Sequence, residues 1–156
     1  MVSFIQYLYF IIFYYILLFF IIFYYFIIIL LLYNKMLKKL ALIASLLLIL
    51  DLTYLFMFKD FMLPVFKKIQ KTDLKIRFAS AFACYIILVS GLYYFIIRKK
   101  APLVDAFLLG MLINGVYETT NYAFFNDWSP LLVLLDTLWG GILLSTTTYL
   151  YYKINR

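Results

Sequence analysis

LVDAFLLGMLINGVYETTNYAFFNDWSPLLVLLDTLWGGILLSTTTYLYY, residues 103–152, reads as two apolar runs separated by a polar turn at residues 126–130. The runs, 103–125 and 131–152, are each about 20–23 residues long. That is the length of a helix crossing a bilayer, whereas β-barrel strands are half as long and alternate. Each run carries one interior carboxylic acid, Glu118 in the first and Asp136 in the second. Glu118 stands about eight residues before the turn and Asp136 about six after Pro130. At a rise of ~1.5 Å per residue, the two acids then face each other on an antiparallel helix pair.

The stripe around Glu118 supports an inward face. Gly110, Asn114, Glu118 and Asn121 recur at helical spacing, and Asp136 and Gly140 share a face of the next run, with Thr137, Gly141 and Ser145 adjacent. Small residues at such spacing let helices approach closely in lipid. Asn121 is placed to hydrogen-bond Glu118 one turn away. Tyr54, Tyr117, Tyr122 and Trp139 are candidate phenol or indole donors, while Trp128 suits the interfacial aromatic belt.

Two similar runs lie upstream. Residues 37–58 hold Asp51, and residues 78–97 hold Ser80, Cys84, Ser90 and Gly91. Placed in an up-down bundle, Asp51 joins Glu118 and Asp136 roughly 9–12 Å below one membrane face. A charge at membrane depth costs a few kcal/mol or more, so such acids mark a pathway, a site or a polar lock between helices. Without an inward cation, the three cannot all stay ionised in a dry layer. Protonated acids bonded to Asn, Thr and Tyr, a bound cation, and water entering with Arg77 or Lys75 are the outcomes open to them.

Composition agrees with a membrane chain. Hydrophobic residues make up 68% of the 156, well above the roughly 45–50% of soluble domains. The net charge of +7 is divided among short groups between apolar runs, the pattern of topology signals and headgroup contacts rather than of a nucleic-acid surface. No nucleic-acid partner is expected. The absence of histidine removes His-based metal sites, Ser-His triads and His proton shuttles. Cys84 is the single cysteine, so no internal disulfide can form, and it reads as a small packing residue. No cofactor and no metal site are expected.

Two segments read less simply. Residues 3–33 form an uncharged run of about 31 residues, longer than the roughly 20 needed to span, in an alphabet of almost only Phe, Ile, Tyr and Leu. It lacks the basic start and small-residue exit of a cleavable signal peptide. Either it is a tilted additional span, or the native start is Met36 and the stretch before it is read from T-rich codons. Residues 59–77 carry six basic residues. They read either as a solvated basic loop or as an interfacial helix starting near Asp60 and Pro64, with Phe66, Ile69 and Ile76 on one face and Lys67, Lys68, Lys71 and Lys75 on another. The basic groups near residues 35–39, 98–100 and 153–156 fall on one side of a four-span core. The turn at 126–130 has none, which places the C-terminus in the cytoplasm. The six basic residues of 59–77 oppose that placement.

The segments Gly115-Val-Tyr-Glu-Thr-Thr-Asn121, Trp128-Ser-Pro130 and Asp136-Thr-Leu-Trp-Gly140 resemble the membrane-protein family termed domain of unknown function 2177. Asp51 in Leu50-Asp-Leu52 looks like the acid late in that family's first span. The resemblance runs from Met36 to about Tyr152 and leaves residues 1–35 outside. Two departures stand out: Glu118 where the family usually has Asp, and Tyr54 where Trp is expected. The resemblance implies four core helices and specifies no activity.

The expected fold is therefore all-α. It is a transmembrane four-helix bundle in residues 36–156, preceded by a low-complexity segment at 1–35 that is either an additional N-terminal transmembrane helix or a non-native extension. Asp51, Asn114, Glu118, Asn121, Asp136 and Trp139 are the candidates for binding a proton, a cation or a polar ligand. A transporter or transport accessory in the lipid bilayer is the leading expectation. A membrane-embedded enzyme acting on lipid headgroups, with Glu118 and Asp136 as acid and base, and a structural protein whose acids lock helices are the alternatives; no motif fixes enzyme chemistry. The sequence sets no oligomeric state.

Overall fold

A computed structural model describes residues 23, 24, 27, 35–71 and 76–156. Among these the chain is all-α, with four long helices and no strand: α1 (Lys35–Gln70), α2 (Phe78–Leu92), α3 (Leu103–Phe124) and α4 (Pro130–Ile154). A π-helical turn, Tyr93–Ile97, continues α2. Two compact units are distinguished, Met1–Ala41 and Leu42–Arg156. In the first, the described residues are helical, and the expected span or extension at 1–35 lies almost wholly outside the described residues. The second holds the acids and is the subject below.

Three helical segments, Lys35–Gln70, Phe78–Ile97 and Pro130–Ile154, are long and apolar enough to cross a membrane. α3 has 22 residues but is not among them. Its Asn and Glu stripe lowers its hydropathy, and that stripe is turned toward α4. α4 begins with Ser129 as N-cap, whose side chain accepts from the Leu132 N–H, and with Pro130 in the first turn, where a missing N–H costs nothing. The α3–α4 connection is tight: Phe125 N–H donates to the Asn121 carbonyl and Trp128 N–H to the Phe125 carbonyl.

The closest approach in the bundle is between α3 and α4. A methyl on Gly110 would overlap the Gly140 carbonyl, and one on Gly141 would lie 2.7 Å from the Phe107 ring. Only glycine allows this approach, which brings the backbones into contact where lipid offers no hydrophobic drive for association. Thr137 lies beside Gly115. The small-residue stripe expected on both helices is therefore their shared seam.

The reading of residues 59–77 is corrected. α1 does not end near Phe58; it runs on through Pro64 to Gln70, about 54 Å of helix at ~1.5 Å per residue. Only residues 71–77 remain as a connection, and Thr72, Asp73, Leu74 and Lys75 are outside the described residues. Pro64 sits on the exposed side of α1 and removes one backbone hydrogen bond. The opposite side of the same segment carries Phe58, Phe61, Val65, Phe66 and Ile69, packed on a cluster of Tyr54, Met62, Trp128 and Leu132. That packing outweighs one lost hydrogen bond. Ile76 does not share the face; it lies beyond the helix end and is exposed. Lys68 closes the overhang with an ion pair to Asp127 in the α3–α4 turn, 2.6 Å.

Candidate functional site

Asp51 and Tyr54 are three residues apart on α1, and Asp136 and Trp139 are three apart on α4. The helices run antiparallel, so each pair meets the other in reverse. Trp139 Nε1–H donates to Asp51 Oδ1 at 3.0 Å, and the Tyr54 hydroxyl donates to Asp136 Oδ1. Between the two bonds the Tyr54 and Trp139 rings stack, with centroids 4.3 Å apart and planes 8° from parallel. Each helix thus supplies an acid and an aromatic donor, and each donor serves the other helix's acid. The second oxygen of Asp51 accepts from the Tyr85 hydroxyl on α2 at 2.6 Å.

Glu118 on α3 is the most deeply enclosed of the acids, 1% exposed. Trp128 Nε1–H donates to its Oε2 at 2.7 Å. The Asp136 carboxyl is its neighbour across the α3–α4 seam, near enough for the two to interact. Two carboxylates are both acceptors, so close approach in a water-poor interior is favoured when one of them carries a proton. Asn114 Nδ2–H donates to the Asp136 backbone carbonyl at 2.9 Å, tying α3 to α4 one turn from the acid pair. Among the described residues none of the three acids forms an ion pair, and no group of three His, Cys, Asp or Glu side chains converges to hold a metal ion. Arg77 is exposed, and Lys75 lies outside the described residues.

The result is a chain of neighbours through the bundle: Trp128 bonded to Glu118, Asp136 beside it bonded to Tyr54, and, across the Tyr54–Trp139 stack, Trp139 and Tyr85 bonded to Asp51. Four of the six candidate residues, Asp51, Glu118, Asp136 and Trp139, belong to it, and Asn114 braces it. Asn121 does not join. Its amide nitrogen is buried without a hydrogen-bond partner. The single level expected for the acids is also corrected. Glu118 and Asp136 pair, but Asp51 lies opposite Trp139, three residues farther from the turn than Asp136, a step of about 4.5 Å. The acids form a stair.

Two donors were misplaced in the reading from sequence. Trp128 is buried, 6% exposed, and edges onto Phe66, Tyr117 and Phe125; it is a partner of Glu118, not a residue of the interfacial belt. Tyr85 was not singled out at all. Conversely, Tyr117 and Tyr122 are more than half exposed and donate to neither acid. A Trp immediately before Ser-Pro at a helix start was the available signal for Trp128. Tyr85 had none, since its role depends on which face of α2 meets α1.

Beyond Asp51 the stair ends. One and two turns farther from the acids come Leu47 and Ile43 on α1, Leu92 on α2, and Leu143 and Leu144 on α4, all 4% exposed or less. The Thr148 hydroxyl in this layer bonds back to the Leu144 carbonyl at 2.7 Å. The Thr147 hydroxyl is fully buried and has no hydrogen-bond partner.

Residues 36–152 match the profile of a family described as "Predicted membrane protein (DUF2177)". No curated protein and no solved structure matches the chain.

Proposed function

This chain belongs to the predicted-membrane-protein family DUF2177, and from that premise we propose that its acid stair binds an exchangeable proton, as a small transporter or transport accessory would. The observation that carries this reading is the enclosure of Glu118, 1% exposed and bonded to Trp128 but, among the described residues, to no cation, a setting that favours the proton-bearing form of a carboxyl. The surrounding donors fit the same role. Trp and Tyr side chains stabilise charge on a carboxyl without neutralising it as Lys or Arg would, so the pair can gain or lose a proton without breaking an ion pair. A divalent cation fits less well, because the three acids are stepped rather than convergent.

A second reading has its own support. Every acid already accepts a hydrogen bond from a fixed aromatic donor, as a polar lock between helices would. Infrared spectroscopy of the protein in bilayers, titrated with pH, separates the two. Proton binding predicts a protonated-carboxyl band that titrates reversibly and disappears in Glu118→Gln/Asp136→Asn. It also predicts proton uptake by wild-type proteoliposomes that the same variant lacks. A band that does not titrate, with no uptake difference, leaves only the lock.

We also place the C-terminus in the cytoplasm. Arg98, Lys99, Lys100, Lys153 and Arg156 gather at one end of the helices; the basic residues of 59–77 stand toward the other, where Lys68 is offset by its ion pair with Asp127. A C-terminal fluorescent-protein fusion should fluoresce and a C-terminal alkaline phosphatase fusion should be inactive; the opposite pair of results reverses the orientation.

A further inference from the structure

The end of the bundle away from the acid stair carries a second organised feature, independent of the proton reading. α2 closes through the π-helical turn Tyr93–Ile97, which turns Ile96 and Ile97 inward and leaves Tyr94 and Phe95 about half exposed on the lipid side. The two rings meet edge to face, centroids 5.1 Å apart. Arg98 places its guanidinium 4.9 Å from the Tyr94 ring centre, and the Lys99 ammonium lies 5.9 Å from Tyr94 and 5.7 Å from Phe95. Two exposed cations are thus held against two half-exposed aromatic rings.

The turn behind them is pinned. Arg98 N–H donates to the Tyr93 carbonyl, Lys100 N–H to Ile97 and Ala101 N–H to Ile96. The Tyr152 hydroxyl from α4 donates to the Ala101 carbonyl at 3.0 Å and to the Ile96 carbonyl at 3.4 Å. Lys100 adopts a left-handed φ of 54°, which ends the helix sharply. Cations presented on a fixed turn lose little freedom on binding an anion. Near the same end stand Lys153 and Arg156, and among the described residues Asp105 is the one acid there.

We propose that this basic turn, residues 93–101, binds the headgroup phosphate of an anionic phospholipid, with an acyl chain against Tyr94 and Phe95. The chemistry divides as a phospholipid does. Arg98 and Lys99 offer donors to phosphate at the level of the interface, and the rings beneath them are apolar at the level of the chains. A soluble phosphate would gain nothing from the rings, and an apolar molecule nothing from the cations. Basic residues at an anionic leaflet attract its lipids generally; the aromatic ledge and pinned backbone make this turn a site rather than a share of that attraction.

The test uses the full chain in phosphatidylcholine bilayers containing spin-labelled phosphatidylglycerol, with lipid selectivity read by electron paramagnetic resonance. Wild type should prefer phosphatidylglycerol, and Arg98→Gln/Lys99→Gln should lower that preference about ten-fold. Lys153→Gln/Arg156→Gln removes the same charge nearby and should lower it clearly less than Arg98→Gln/Lys99→Gln does. Tyr94→Leu/Phe95→Leu keeps every charge and should still weaken selectivity measurably. No preference in wild type, equal loss in both charge variants, or no effect of the ring variant would each overturn the site.

Discussion

The two ends of the bundle handle charge with the same class of side chain in opposite ways. Around the acid stair, Trp128, Trp139, Tyr54 and Tyr85 present N–H and O–H groups at their edges to carboxyls inside. At the basic turn, Tyr94 and Phe95 present ring faces to cations outside. An aromatic ring has a negative face and a positive edge, so one residue type can serve both signs, and burial decides which aspect is used. Removing a buried acid strands its donors in a dry interior, where a lost partner costs more than the bond was worth. Removing an exposed cation leaves a ring that lipid can cover.

That contrast is broken most severely by Asp136→Ala. It orphans the buried Tyr54 hydroxyl and should destabilise the protein by about 3 kcal/mol in denaturant unfolding from micelles, with Asp136→Asn recovering most of the loss. Gly110→Ala comes next. It leaves every polar contact in place but forces α3 from the Gly140 carbonyl, at a cost of about 2 kcal/mol by the same measurement. Trp128→Phe keeps an aromatic ring beside Phe66 but removes the N–H to Glu118 and part of the buried indole. About 1 kcal/mol should be lost, and the Glu118–Asp136 band should shift in the infrared while the other helices keep their circular dichroism. Arg98→Lys should be the mildest, moving the unfolding midpoint no further than ordinary surface substitutions do. An effect as large as that of Trp128→Phe would erase the difference between inside and outside.

The legible parts of the molecule were those fixed by contacts local in sequence. Glu118 and Asp136 flank one short turn, so helical rise alone sets them level, and the Gly110–Asn114–Glu118 stripe and its Gly140 counterpart follow from periodicity. What spacing could not supply was register between helices distant in the chain. Asp51 meets Trp139, and Tyr54 meets Asp136, across α1 and α4, and no interval in the sequence states which helices are neighbours. The overhang of α1 was obscured by Pro64 and its lysines, which locally resemble a break. Its apolar side has meaning only once Trp128 is seen beneath it. Trp128 itself looked interfacial because tryptophans near helix ends usually are, and the unmet need of Glu118 for a donor was the consideration that should have prevailed.

The leucine and isoleucine layer past Asp51 gives the stair the character of a blind alley. From Trp139, which bonds Asp51, about 12 Å of helix separates the acid from the buried, unpartnered Thr147 hydroxyl. Vectorial movement would therefore demand that Leu47, Leu92 and Leu143 part and admit water, and a bundle that never does so would register acidity on one face without conducting it to the other.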